Sequence, residues 1–209
     1  MISKKQNLKN LNSIREEFNR TLFFDGKYAT HIERVAKVKM SAGATQNSLY
    51  GLFPPHSDIN LLADRTKLGK IVESDKDVDF KYYFDKHGRV ILIERFDPTS
   101  QYSDKLVATI FVEHEVRRKI NVLFCKGRTE NISTVAECKL DLYGRLIRYT
   151  ECTCGVNGYP YVYSVMRLRH RGERVKIKRS VYSIWQDGDE TKLSERKYAY
   201  KNGILRETK

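Results

Sequence analysis

The sequence predicts a mainly β protein: a large antiparallel sheet or a half-open barrel of hairpins, with one N-terminal amphipathic helix. Three features predict this class: aromatic segments that run into polar turns closing on glycine, a nearly continuous β pattern after residue 69, and one helical apolar stripe near the N-terminus. Aromatic and β-branched residues fit a pleated surface, and glycine supplies the positive φ of tight hairpin turns. The 209 residues suffice to bury a core, and we expect a single domain over residues 1–209.

Residues 3–22 are predicted to form the helix. Their apolar residues recur at steps of three and four, as in one stripe of an amphipathic helix: Leu8, Leu11, Ile14, Phe18 and Leu22. We expect this stripe to cover one face or edge of the sheet.

Residues 23–69 are predicted to be irregular with short elements. Apolar residues within 30–40 fit both helical and alternating spacing, and we favour a strand there. After residue 40, glycines and the pair Pro54-Pro55 lie among small polar residues, which indicates a long excursion. Such an excursion is either a functional loop or a connection without function.

Residues 70–209 are predicted to form the antiparallel sheet of hairpins. Strand patterns are separated by turn signals at hairpin distances and cover about 70–73, 79–85, 89–96, 106–114, 117–125, 134–142, 145–152, 160–170, 174–185 and 194–207. The segment Val90-Ile91-Leu92-Ile93 is apolar at every position. We therefore expect this strand to be central and buried on both faces, beneath the helix.

Four segments carry the glycine turn: Phe23-Phe24-Asp25-Gly26-Lys27-Tyr28, Tyr82-Tyr83-Phe84-Asp85-Lys86-His87-Gly88-Arg89-Val90, Leu140-Asp141-Leu142-Tyr143-Gly144-Arg145-Leu146 and Tyr198-Ala199-Tyr200-Lys201-Asn202-Gly203-Ile204. Their glycines lie 62, 56 and 59 residues apart, which fits either a degenerate repeat or coincidence among hairpins. Asp85 and Asp141 are predicted to support their turns through hydrogen bonds to the backbone.

The turn around Gly88 resembles the tyrosine–aspartate (YD, or Rhs-type) repeats of bacterial toxin shells, and the turn around Gly144 resembles them more loosely. The family repeats at a much shorter interval, so the resemblance does not extend to a shell. A looser resemblance connects the chain to small all-β immunity proteins encoded beside secreted bacterial toxins. It implies a protein partner and supplies no catalytic residue.

A formal charge of +13 is the most unusual global property. Such an excess of Lys and Arg attracts phosphate polymers, anionic membranes or acidic protein surfaces. The first residues lack the apolar stretch of a secretory signal, and no apolar run approaches the roughly 20 residues that span a bilayer. We therefore expect a soluble protein in a bacterial-type cytoplasm that does not contact a membrane.

The charge is concentrated in residues 167–179, where seven Lys or Arg and one Glu give a net +6. If a hairpin turns near Gly172 and its register aligns the two strands, alternation places six cations on one face: Arg167, Arg169, Arg171, Arg174, Lys176 and Lys178. These six and Tyr161 and Tyr163 are the predicted binding residues. The nearby Tyr159, Tyr182 and Trp185 would join the tyrosines in stacking on exposed bases. The alternative is a solvated outer face of the sheet.

Four cysteines, at 125, 138, 152 and 154, are expected to be reduced in a chain without an export signal. Cys152 and Cys154 share one face of a predicted strand, where Cys138 or Cys125 would join them in a metal site. Zinc sites prefer a Cys-x2-Cys turn and a second pair, so we predict buried thiols and no metal. In Glu113-His114-Glu115, alternation sends the histidine to the face opposite both glutamates. We predict no catalytic residue and no cofactor.

Three functional hypotheses remain. The leading one is a non-enzymatic protein that binds an acidic protein, such as a cognate toxin, through the basic hairpin and neutralises it by occlusion. The alternative is a nucleic-acid-binding module that uses the same hairpin. The third is an enzyme of unrecognised type, with a site in residues 41–69. A monomer and a dimer are both compatible with the sequence.

Overall fold

The computed structural model describes residues 9, 13, 24–42, 70–73, 78–97, 106–115, 118–127, 132–153, 161–172, 174–184, 189–201 and 204–208. Their elements are, in chain order, α1 Phe24–Glu33, β1 Lys37–Ala42, β2 Lys70–Val72, β3 Phe80–Phe84, β4 Val90–Phe96, β5 Leu106–His114, β6 Lys119–Lys126, β7 Ile132–Leu140, β8 Leu146–Thr153, β9 Tyr161–Arg171, β10 Arg174–Ile184, β11 Glu190–Lys201 and β12 Ile204–Thr208.

The strands form a twelve-stranded antiparallel sheet in the order β12-β11-β10-β9-β8-β7-β6-β5-β4-β3-β1-β2. The mainly β prediction is therefore confirmed. The described residues fall into two compact units. The N-terminal unit lies within residues 19–112 and 124–131, and the C-terminal unit within 1–18, 113–123 and 132–209.

In the N-terminal unit, α1 packs on β4 and β5. The Tyr28 hydroxyl donates to Glu94 Oε1 at 2.9 Å, and the His31 ring meets the Phe111 ring edge-on at a centroid distance of 5.1 Å. Ile91 and Leu92 are fully buried although they point to opposite faces of β4. The prediction of a central strand buried on both faces is thus confirmed, whereas the helix expected above it, residues 3–22, lies outside the described residues apart from Lys9 and Ser13.

The helix over β4 is α1, which the sequence interpretation placed in the irregular region. The expected turn around Gly26 is wrong, because this residue is helical. The strand favoured within residues 30–40 is wrong up to Glu33, which is still helical, and is confirmed from Lys37. Asp25 in the first turn complements the helix dipole. The contacts of Tyr28 and His31, one turn apart, then outweigh the weak local preference.

The predicted helix at residues 3–22 lies outside the described residues except for Lys9 and Ser13, which are both helical. The excursion at 43–69 also lies outside them. At the C-terminus, the predicted strand 194–207 is a hairpin of two strands, β11 and β12, with Lys201 opposite Ile204.

The turns Asp85–Arg89 and Asp141–Arg145 have the same hydrogen-bond framework. In the first, Asp85 Oδ1 accepts from the amides of His87 at 2.9 Å and Arg89 at 3.0 Å, while Oδ2 accepts from Arg89 Nε at 2.9 Å and Nη2 at 2.7 Å. Gly88 closes the turn with a φ of 73°, a conformation that other L residues adopt at a cost.

The second turn repeats these contacts. Asp141 Oδ1 accepts from the amides of Tyr143 and Arg145, each at 2.9 Å. Its Oδ2 accepts from Arg145 Nε at 2.8 Å and Nη2 at 2.7 Å, and the φ of Gly144 is 74°. The predicted role of both aspartates is confirmed.

Candidate binding surface

The β9–β10 hairpin turns at Gly172 with the register that the basic face requires. Arg167 lies opposite Lys178, Arg169 opposite Lys176, and Arg171 opposite Arg174. Residues directly opposite in an antiparallel pair share a face. The six cations therefore lie on one face of the hairpin, as alternation predicts.

One row of this face extends well beyond the hairpin. Five cations stand on five adjacent strands, β7 to β11, each directly opposite the next: Lys139, Arg148, Arg167, Lys178 and Lys197. We call these residues the cation row. Adjacent strands lie about 4.8 Å apart, so the row is about 19 Å long. Sequence reasoning identified only its two members in the hairpin.

A groove of about 580 Å³ lies at the β9–β11 end of the row in the C-terminal unit. Five of its lining residues are cations, all exposed: Arg167, Arg169, Lys176, Lys178 and Lys197. Its described lining includes no carboxylate. We call this concavity the basic groove.

Carboxylates neutralise the row only in part. Glu195 bonds Lys178 at 2.9 Å and Lys192 at 2.5 Å, and Lys139 lies 3.6 Å from Glu137. Hydrogen bonds from Lys192 and Lys178 lower the pKa of Glu195 from 4.5 to about 2, so this carboxylate stays charged at neutral pH.

The centre of the basic groove is not neutralised. Within the described part of the chain, Arg167, Arg169 and Lys176 form no ion pair. Like charges placed opposite each other in a ladder are destabilising. Among the described residues no carboxylate offsets this repulsion at Arg167, Arg169 and Lys176, and solvent or an anionic ligand would reduce it.

Two of the five residues of the predicted aromatic platform are not accessible on this surface. Tyr163 is 0% exposed and Tyr182 is also buried, with their ring centroids 6.2 Å apart. Both lie in the core, where they cannot stack on bases. The side chain of Tyr161 lies outside the described part of the structure, as do Tyr159 and Trp185.

The cysteines are placed as single thiols. Cys125, Cys138 and Cys152 are buried and form no disulfide, and Cys154 lies outside the described residues. Cys138 pairs with Tyr149 whereas Cys152 pairs with Val135, so Cys138 and Cys152 point to opposite faces and cannot converge on one ion. Burial raises the pKa of Cys125 to about 12, although Lys27 acts in the opposite direction.

Chemistry that depends on several converging ligands is not found at this surface. The residues that the structure describes include no group of three or more His, Cys, Asp or Glu able to hold a metal ion. Of the region considered for an enzyme site, only Ser41 and Ala42 are described. The five exposed cations that line the basic groove have the charge needed to hold an anion.

Comparisons with known proteins were made for the whole chain. No family model, curated protein or solved structure matches it. No helix in the described ranges is long and apolar enough to cross a membrane.

Proposed function

We propose that this protein is a non-enzymatic, cytoplasmic binding protein whose basic groove engages the acidic surface of another protein. Its action would be that of the bacterial immunity proteins it resembles: occlusion of the partner by shape and charge. The observation that carries the proposal is the cation row, five exposed or half-buried cations on adjacent strands, with a groove at its β9–β11 end whose described lining includes no carboxylate. Electrostatic complementarity of this kind speeds association and selects the partner.

Nucleic acid is the second candidate, because a phosphate backbone also neutralises a row of cations. Single strands are usually held by a basic groove together with aromatic side chains that stack on bases. Here two of the candidate aromatic residues, Tyr163 and Tyr182, are in the core and cannot stack on bases. The burial of these rings favours the acidic protein.

The test is the double substitution Arg169→Glu/Lys176→Glu, which reverses two exposed, directly opposed cations. The probes are a fluorescein-labelled poly-glutamate peptide of about 12 residues, longer than the row when extended, and a mixed-sequence single-stranded RNA. We expect the variant to bind the peptide at least about tenfold more weakly, because four units of charge change at the groove. Fluorescence anisotropy across a salt series measures the loss.

The matched control is Lys70→Glu/Lys86→Glu, which changes the net charge equally at two exposed positions of the N-terminal unit. It should keep nearly the wild-type affinity. Equal affinity of the groove variant and the wild type would refute the surface assignment. If RNA binds more tightly than the peptide at physiological salt, with a steep salt slope, nucleic acid becomes the first candidate.

Glu195 should compete with the acidic partner for Lys178. In Glu195→Gln that cation is released, and we expect the affinity for poly-glutamate to rise about threefold, the scale of one exposed ion pair. The control is Glu207→Gln, which removes the same charge from the carboxylate that faces Arg196 at 4.0 Å on the opposite face of the sheet. An equal gain in both variants would show an effect of net charge alone.

A further inference from the structure

The turns Asp85–Arg89 and Asp141–Arg145 have the same hydrogen bonds but different side chains at their tips. The turn between β3 and β4 presents Lys86 and His87, which are polar and exposed. The turn between β7 and β8 presents Leu142, 76% exposed, and Tyr143, 81% exposed. Two large apolar side chains thus protrude where the equivalent turn carries polar ones.

The turn itself does not need these apolar side chains. Its framework uses the Asp141 carboxylate, the Arg145 guanidinium and backbone amides, and the equivalent turn forms the same bonds with a polar tip. The Arg145 guanidinium also lies 5.0 Å from the centre of the Tyr143 ring. This cation–π contact orients the ring while leaving most of it in water.

The tip stands at the end of the cation row. Lys139 lies two residues before Asp141, and Arg148 three residues after Arg145, so about 10 Å of strand separates the base of the turn from the row. His170 of β9 donates from Nε2 to the Leu146 carbonyl at 2.7 Å, which holds the neighbouring strand beside the turn. A partner bound at the β7–β8 end of the row that continues along these strands therefore reaches the tip.

We propose that Leu142 and Tyr143 form an apolar anchor for the same partner that the basic groove binds. The partner is then an acidic protein segment that carries apolar side chains between its carboxylates. This inference rests on the proposed function. Centres of protein–protein interfaces are enriched in Tyr and Arg, the combination found in Tyr143 and Arg145. A phosphate backbone offers no comparable contact to a leucine.

The test compares two probes of equal length, labelled poly-glutamate and a labelled glutamate–tyrosine copolymer. Wild-type protein is expected to bind the copolymer about fivefold more tightly, the scale of one aromatic contact. Leu142→Ser/Tyr143→Ser should bring this ratio close to one and leave the affinity for poly-glutamate unchanged. The matched control, Lys86→Ser/His87→Ser, alters the tip of the equivalent turn and should keep the wild-type ratio.

The outcomes separate the two proposals. If the tip variant keeps the copolymer preference, the anchor is refuted while the basic groove stands. A wild-type protein that binds neither probe at physiological salt contradicts the proposed function itself. Because the readout is a ratio of affinities measured on one protein sample, a change in the folded fraction of the variant does not alter it.

Discussion

Replacement of Glu94 by alanine is expected to lower the free energy of unfolding by about 3 kcal/mol, because it removes a buried acceptor and leaves a cavity. Glu94 is 2% exposed. It accepts hydrogen bonds from Tyr28 of α1 at 2.9 Å and Tyr83 of β3 at 2.5 Å. Burial and the nearby Glu94 carboxylate raise the pKa of Tyr83, so its hydroxyl remains a donor at neutral pH. Urea denaturation followed by far-UV circular dichroism measures the loss.

Two milder substitutions divide this effect. Glu94→Gln keeps an acceptor and the side-chain volume, and Tyr28→Phe deletes the hydroxyl that bonds Glu94 and also contacts Tyr83; each should cost about 1 kcal/mol. If Glu94→Ala lowers the free energy of unfolding by less than about 1 kcal/mol, the carboxylate does not hold the helix to the sheet.

Asp85→Ala should destabilise the protein by about 3 kcal/mol, since one carboxylate satisfies two backbone amides and a bidentate arginine. Burial alone would raise the pKa of Asp85. Hydrogen bonds from Arg89 and from the amides of Arg89 and His87 outweigh it and lower this pKa from 3.8 to about 2. The same equilibrium denaturation at neutral pH gives the size of the loss.

The sign of the pH dependence follows from the lowered pKa of Asp85. Its stabilising contribution is fully present above the unfolded-state value of 3.8 and is lost as the pH falls towards 2. The difference corresponds to about 2 kcal/mol. Stability of the wild type relative to Asp85→Ala should therefore shrink over this interval. An unchanged difference between pH 5 and pH 2 would contradict the role of the ionised carboxylate. Asp141→Ala, at the equivalent and more exposed turn, should lose less.

Most strands were predictable because they are bounded by turn signals and pair with a neighbour in the chain, although β11 and β12 were predicted as one strand. The helix was not, because α1 has little helical preference of its own and depends on Tyr28 and His31 meeting the sheet. Those contacts join residues that lie far apart in the sequence, so a local sequence pattern cannot predict them. The predicted turn at Gly26 was wrong for the same reason. Its preferences for a turn and for a helix are both weak, and packing against the sheet favours the helix.

The candidate surface was predictable only within one hairpin. A short turn fixes register, so the pairing of Arg169 with Lys176 follows from the position of Gly172. The longer connections between β8 and β9 and between β10 and β11 leave the register open. The positions of Arg148 and Lys197 in the row therefore could not be predicted from the sequence. The apolar tip had a signal in the sequence, because Leu142-Tyr143 stands where the matching turn has Lys86-His87. The spacing of the glycines does not reveal this difference.

The shared turn framework separates what folds the hairpin from what its tip presents. Aspartate, glycine and arginine hold the backbone in both turns, and the side chains of the two tip residues contribute no bond that the framework needs. Lys86-His87 and Leu142-Tyr143 thus occupy equivalent positions in two turns that have the same hydrogen bonds. The sequence of the tip can therefore change at these two positions without loss of the bonds that hold the hairpin.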